Sequence, residues 1–167
     1  LSSSPAVNVR GSTCTAAPVM NLFVPGEIKL VYSHIDRIIT GAAVPVEPLT
    51  LTAGEELRAE YFCQRRELGV INIGGAGRIT VDGRACQVGF KEAMYIGMGS
   101  KEIVFASDDA QNPAKFYLNS APAHRTCPTV LIKPEGEPEE GVVIVKDENK
   151  VELGSLEDAN HRVICKY

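Results

Sequence analysis

A chain of 167 residues carrying a formal charge of −4 suits one compact domain, or one domain with extensions. Its basic residues are scattered, which leaves no electrostatic footprint for DNA or RNA. No apolar run approaches the roughly 20 residues needed to span a bilayer, so neither nucleic acid nor membrane is expected as a partner. The first residues lack a basic stretch followed by an apolar one, and no secretory signal is expected. Five cysteines (Cys14, Cys63, Cys86, Cys127 and Cys165) are odd in number, widely spaced and never C-x-x-C. That pattern argues against a disulfide framework or zinc finger and for reduced thiols in a cytoplasmic protein.

In chain order, residues 1–21 are rich in Ser, Ala, Val and Pro without a period, and read as a poorly ordered lead-in. Residues 22–132 read as β structure. Short Val, Ile, Tyr and Phe runs alternate with Gly, Pro, Asn or Asp at the spacing of a sandwich or barrel. Val31–Ile39 reads as one strand, with Tyr32, His34, Asp36 and Ile38 on one face. Val70–Ile73 and Arg78–Val81 flank the glycines at 74, 75 and 77. Those glycines are followed by an alternating strand pattern rather than a helix, so a tight bend is expected there, not a nucleotide loop. Asp82-Gly83 has the sequence of a type I′ turn into Arg84–Val88. Ala93–Ile96, Glu102–Ser107 and Lys115–Asn119 supply further strands. In residues 133–167 an acidic, proline-rich loop comes first. A hairpin of Val142–Val145 with Lys150–Leu153 follows, then a short helix from Ser155 to about Ala159. Val163–Cys165 is an apolar, strand-like run with no closing turn, expected to form part of an association surface.

One motif stands out by its spacing. Gly54, Glu60, Phe62, Glu67 and Gly74 keep the frame G-x5-H-x-H-x4-E-x6-G, and Gly97-Met98-Gly99 followed by Glu102 falls where P-x-G and a last histidine belong. The frame resembles the signature of the cupin β-barrel, with its metal-binding histidines replaced. Glu60, Phe62, Glu67 and Glu102 offer no nitrogen or sulfur for zinc, iron or copper, so no metal site is expected in this chain. If the frame holds, Glu60, Glu67 and Glu102 converge inside the barrel. There they would act as general acid and base, bind a hard cation, or serve only as structural groups, solvated at a barrel mouth or paired with Arg65, Arg66 or Lys101. His34 and Asp36, read on one strand face, make a second catalytic candidate pair. Arg37, Arg65, Arg66 and Lys115 are candidates for holding an acidic substrate, arginine by bidentate contact. His124 and His161 are too scattered to complete a ligand set.

Longer blocks carry a closer resemblance. VYSHIDRIITG (Val31–Gly41), RRELGVINIGGAGRITVDG (Arg65–Gly83), MYIGMGSKEIVFAS (Met94–Ser107) and NPAKFYLNSAPAH (Asn112–His124) resemble the N-terminal half of the 5-keto-4-deoxyuronate isomerase family. The likeness runs from about residue 23 to 167. It implies an all-β, cupin-type antiparallel barrel (jelly roll), one half of a tandem two-barrel protein that assembles into homo-oligomers. It also implies an enzyme of pectin and glycosaminoglycan breakdown that isomerises an unsaturated uronate. The zinc site would lie in the second barrel, whose H-x-H-x4-E motif is intact, and not in this chain. Such ketol isomerisation removes a proton α to a carbonyl and returns one to the neighbouring carbon through an enediol. The resemblance assigns this half to folding, assembly and association with the C-terminal barrel, and the chain alone is expected to be inactive. The competing expectation is a non-catalytic cupin module that binds an acidic sugar or a protein partner at its barrel mouth.

Overall fold

The computed structural model describes residues 21–134, 142–146 and 150–153. The N-terminal lead-in, the acidic loop, the short helix near Ser155 and the Val163–Cys165 run lie outside the described residues. Twelve strands are present among them: β1 Ile28–Tyr32, β2 Ile39–Ala43, β3 Leu49–Thr50, β4 Arg66–Asn72, β5 Gly77–Val81, β6 Arg84–Val88, β7 Ala93–Ile96, β8 Ile103–Ser107, β9 Phe116–Pro122, β10 Val130–Lys133, β11 Val142–Lys146 and β12 Lys150–Leu153. The helical content described is two single turns of 3-10 helix, Glu55–Leu57 and Phe62–Gln64. No described helix is long and apolar enough to cross a membrane.

The strands form an eight-stranded sheet, in the order β1-β2-β9-β4-β7-β10-β11-β12, and a four-stranded sheet, β3-β8-β5-β6. The pairing is nested: β4 lies against β9 while β5, inside that interval, lies against β8. Likewise β2 meets β9 while β3 meets β8. A chain that folds back on itself as a double strand and crosses between two sheets is a jelly roll, the cupin architecture. All pairings are antiparallel except β10 with β11, which is parallel and extends one edge of the larger sheet.

Alternation decides what the barrel encloses. β4 turns Arg66, Leu68, Val70 and Asn72 inward, and β5 turns Ile79 and Val81 toward them from the other sheet. Met94, Ile96, Ile103, Phe105, Phe116 and Leu118 complete a continuous core, with each of them 2% exposed or less. Phe105 on β8 and Phe116 on β9 bring their ring centroids to 5.4 Å, joining the two sheets.

Two turns show how local chemistry sets the strand ends. Asp82 and Gly83 both have positive φ, 48° and 83°, and close the β5–β6 hairpin as the type I′ turn expected there. The same geometry overturns the expected single strand Val31–Ile39. Asp36 and Arg37 sit at φ 52° and 55°, and the Ile38 N–H donates to the Ile35 carbonyl at 3.4 Å. The segment is therefore a hairpin, with Tyr32 opposite Ile39. Ser33 Oγ accepts the Ile35 N–H at 3.1 Å, a side-chain turn that competes with continued extension. The glycines after β4 serve close approach: a Cβ on Gly75 would land on the Asn112 carbonyl oxygen.

Candidate functional site

The residues at the cupin ligand positions do not come together. Glu60 and Phe62 lie in and beside the 3-10 turn Phe62–Gln64, not on a strand, so the period-two reasoning that aims both inward fails. Phe62 is a core side chain, 2% exposed. Glu60 is exposed, and its backbone N–H donates to Gln64 Oε1 at 3.0 Å. Glu102 is exposed just before β8; its N–H and that of Lys101 donate to Asp82 Oδ1, each at 2.9 Å. Glu67 does lie on a strand, but on the outward parity of β4. There it accepts the Tyr95 hydroxyl at 2.8 Å, and Tyr95 faces outward from β7. The expected convergence of Glu60, Glu67 and Glu102 is thus replaced by two exposed carboxylates and one on the outer sheet face. Among the described residues no three of His, Cys, Asp and Glu gather where a metal ion would sit.

Zinc at the cupin position does not fit this donor set: one residue is a core phenyl, one carboxylate is bonded on the far face of the sheet, and two are splayed into solvent. From the sequence frame alone, His at 60, 62 and 102 should rebuild a zinc site. The geometry reverses that expectation. Glu60→His with Phe62→His and Glu102→His should yield no tight zinc on elemental analysis, and Phe62→His should destabilise the core it leaves. One zinc retained per chain would restore the frame.

His34 and Asp36 are also separated from their expected roles. Both belong to the exposed β1–β2 turn, where His34 stacks edge-on against Tyr32 with centroids 5.3 Å apart. Asp36 occupies the left-handed turn position, so no shared strand face aligns a carboxylate with the imidazole. His124 is exposed beyond β9, and His161 lies outside the described residues.

Of the four cationic candidates, Arg37, Arg65 and Lys115 are exposed. Arg65 Nη2 donates to the Arg58 carbonyl at 2.8 Å. Of the two structural alternatives, pairing of Arg65, Arg66 or Lys101 with the glutamates is not found among the described residues, where the ion pair is Lys29–Glu27 at 3.8 Å, and Glu60 and Glu102 are exposed to solvent. Arg66 differs. It is 8% exposed, and donates from Nε to Ser120 Oγ at 3.1 Å and from Nη2 to the carbonyls of Ser120 at 3.0 Å and Arg37 at 2.6 Å. Burial pulls its pKa below the usual guanidinium value.

Of three further features, Tyr95 and Asn72 escaped the sequence reading, whereas a buried cysteine was expected. Tyr95, bonded to Glu67, is pushed well above the ordinary phenol range, first by burial and then by that bond. The Cys63 thiol, wholly buried, is pushed up to about 12 chiefly by desolvation, which removes it as a nucleophile at neutral pH. Asn72, 0% exposed, ties three segments together. Its Nδ2 donates to the carbonyls of Gly75 and Val88 at 2.8 and 2.9 Å; its Oδ1 accepts the N–H of Gly74 at 3.0 Å and of Lys115 at 3.3 Å. An Asn placed just before Gly-rich backbone is a turn signal that would have found it.

Comparison with known proteins places this barrel. The sequence profile described as the KduI/IolB family matches residues 19–142. The chain belongs to the KduI/IolB family. It is 66% identical over 148 residues to a 4-deoxy-L-threo-5-hexosulose-uronate ketol-isomerase of Lachnoclostridium phytofermentans, covering 88% of this chain and 50% of the relative. To the protein of that name from Escherichia coli SMS-3-5 it is 49% identical over 152 residues, covering 89% and 51%. The chain therefore spans about half the length of the curated KduI/IolB relatives it matches. Among solved structures, an RmlC-like cupin from Desulfovibrio desulfuricans is similar at 15% identity and a TM-score of 0.42, over 57% of this chain and 81% of that one.

Proposed function

We propose that this chain is the N-terminal barrel of a ketol-isomerase interconverting 4-deoxy-5-keto-uronate and 3-deoxy-2,5-diketo-hexonate in pectin and glycosaminoglycan breakdown. In this reading it supports folding and assembly rather than chemistry. The proton-transfer groups and the zinc belong to a second barrel, and the complete protein is a cytoplasmic homo-oligomer whose substrate is a small acidic sugar. The names of half-matched relatives support the reaction class. The division of labour rests on one observation: the four cupin ligand positions hold a core phenyl and three carboxylates that do not meet.

The test belongs in the complete two-barrel enzyme. Glu60→Gln, Glu67→Gln and Glu102→Gln should each leave kcat within about twofold, because in this reading none of these separated carboxylates takes part in the proton transfer. A loss of several orders of magnitude at any of them would put the chemistry in this barrel.

A further inference from the structure

Five large apolar side chains are exposed among the described residues, and three of them fall together. Ile71, 44% exposed, stands on the outward parity of β4, and Ile73, 46% exposed, follows one residue past its end. Phe90, 60% exposed, belongs to the β6–β7 turn, which the Lys91 N–H fastens at 2.8 Å to the Asn72 carbonyl between those two isoleucines. Ala93 of β7 and Tyr117 of β9 flank Ile71 as its Cα partners. Single apolar side chains on a surface are ordinary, but a cluster of them on a sheet face marks an interface.

The same face carries a second mark. Gly69, two residues before Ile71 and on the same parity, lies between Tyr95 of β7 and Asn119 of β9. Glycine weakens a strand interior and is found there at a bulge, a bend or a close approach. β4 pairs with β9 without a break from Arg66 to Asn72, and Gly69 has no left-handed φ. A Cβ on it would meet only the Asn119 carbonyl oxygen, at an ordinary 3.6 Å. Nothing in the described barrel calls for the missing side chain, which leaves a notch in the outer face beside the apolar cluster.

The chain itself leads to this face. Cα partners run in one row from Ile71 through Ala93, Ile132 and Val143 to Leu153, the last described residue. Four strand spacings put Leu153 about 19 Å from Ile71 along the larger sheet. The polypeptide beyond it therefore starts beside the cluster and not across the barrel.

We infer that the outer face of the larger sheet, around Gly69, Ile71, Ile73 and Phe90, is the docking surface for the second barrel, the half of the curated relatives that this chain does not span. The inference rests on the two-barrel reading and names the surface through which the halves meet. The partner that fits is apolar at its centre, projects a side chain into the Gly69 notch and carries carboxylates at its rim. There exposed Lys91 and Lys115 have no ion-pair partner among the described residues. A second copy of this face would offer notch to notch, and its Glu67 carboxylate is already bonded to Tyr95.

The test is made in the complete two-barrel enzyme. A diazirine-bearing leucine analogue takes the place of Ile71, and the peptides it joins on irradiation are read by mass spectrometry. Crosslinks should reach peptides of the second barrel. Gly69→Val should cut that yield severalfold while leaving the urea midpoint of the 167-residue chain unchanged or higher. Should Gly69→Val destabilise the chain, Ile73→Asp takes its place and should cut the yield as much. Crosslinks confined to the first barrel, of the same or another copy, or a yield that neither variant moves, would overturn the inference. Turnover is read separately. An enzyme that isomerises without these crosslinks refutes the docking surface alone, and crosslinks in a protein that does not isomerise refute the reaction alone.

Discussion

Asn72→Ala should lower the unfolding free energy by about 3–5 kcal/mol, read from urea denaturation of the purified chain. The Asn72 side chain bonds the carbonyls of Gly75 and Val88 and the N–H groups of Gly74 and Lys115. Truncation removes one partner from each of four backbone groups around a side chain with no exposed surface, at a cost of roughly 1–3 kcal/mol for each left unsatisfied. Relaxation and entering water offset part of that sum. Gly74 and Gly75 have little room to shift, because backbone of residues 112–115 lies where a Cβ on either would stand and the Gly75 N–H donates to the Pro113 carbonyl at 3.1 Å. Asn119→Ala on the exposed side of β9 is the control and should stay within about 0.5 kcal/mol. Equal effects at the two positions would show that the Asn72 network is not what fastens this end of the barrel.

Much of this fold was legible from residues that act locally. Arg84–Val88 and Ala93–Ile96 begin and end as strands where the sequence places them, and Asp82-Gly83 forms the turn its residue types demand. The β1–β2 turn was illegible for a physical reason. Its centre, Asp36-Arg37, contains no glycine, and apolar Ile35 beside Ile38 and Ile39 mimics strand text. In the structure Ile35 is 70% exposed at the tip of the turn.

The candidate site was less legible, because side-chain direction is set by tertiary register and not by spacing. In the run Arg66-Glu67-Leu68-Gly69-Val70-Ile71 each parity carries a charge, Arg66 beside Leu68 and Val70, Glu67 beside Gly69 and Ile71, so counting from Gly54 aims Glu67 inward while the apolar pair aims it outward. Packing against β9 and the smaller sheet decides for Leu68 and Val70, which carries Arg66 inward and Glu67 outward. In the same way, the ligand frame counts residues correctly from Gly54 to Gly74 but cannot see that 62–64 coil into a 3-10 turn. Spacing survives there without the geometry it once implied.

The proposed division of labour has its largest consequence in turnover. Among the described residues no donor set for zinc and no cluster of three carboxylates gathers, so in the proposed reading the electrophile and the base of ketol isomerisation come from the second barrel. Loss of both in a metal-assisted proton transfer removes several orders of magnitude of rate. The most direct measurement is therefore isomerisation of 4-deoxy-5-keto-uronate by the purified 167-residue chain with zinc supplied, beside a full-length relative under the same conditions. The expected result is turnover by the relative and none above the uncatalysed rate for the chain. Zinc-dependent turnover by the chain alone would contradict the claim that this barrel supports the enzyme without performing its chemistry.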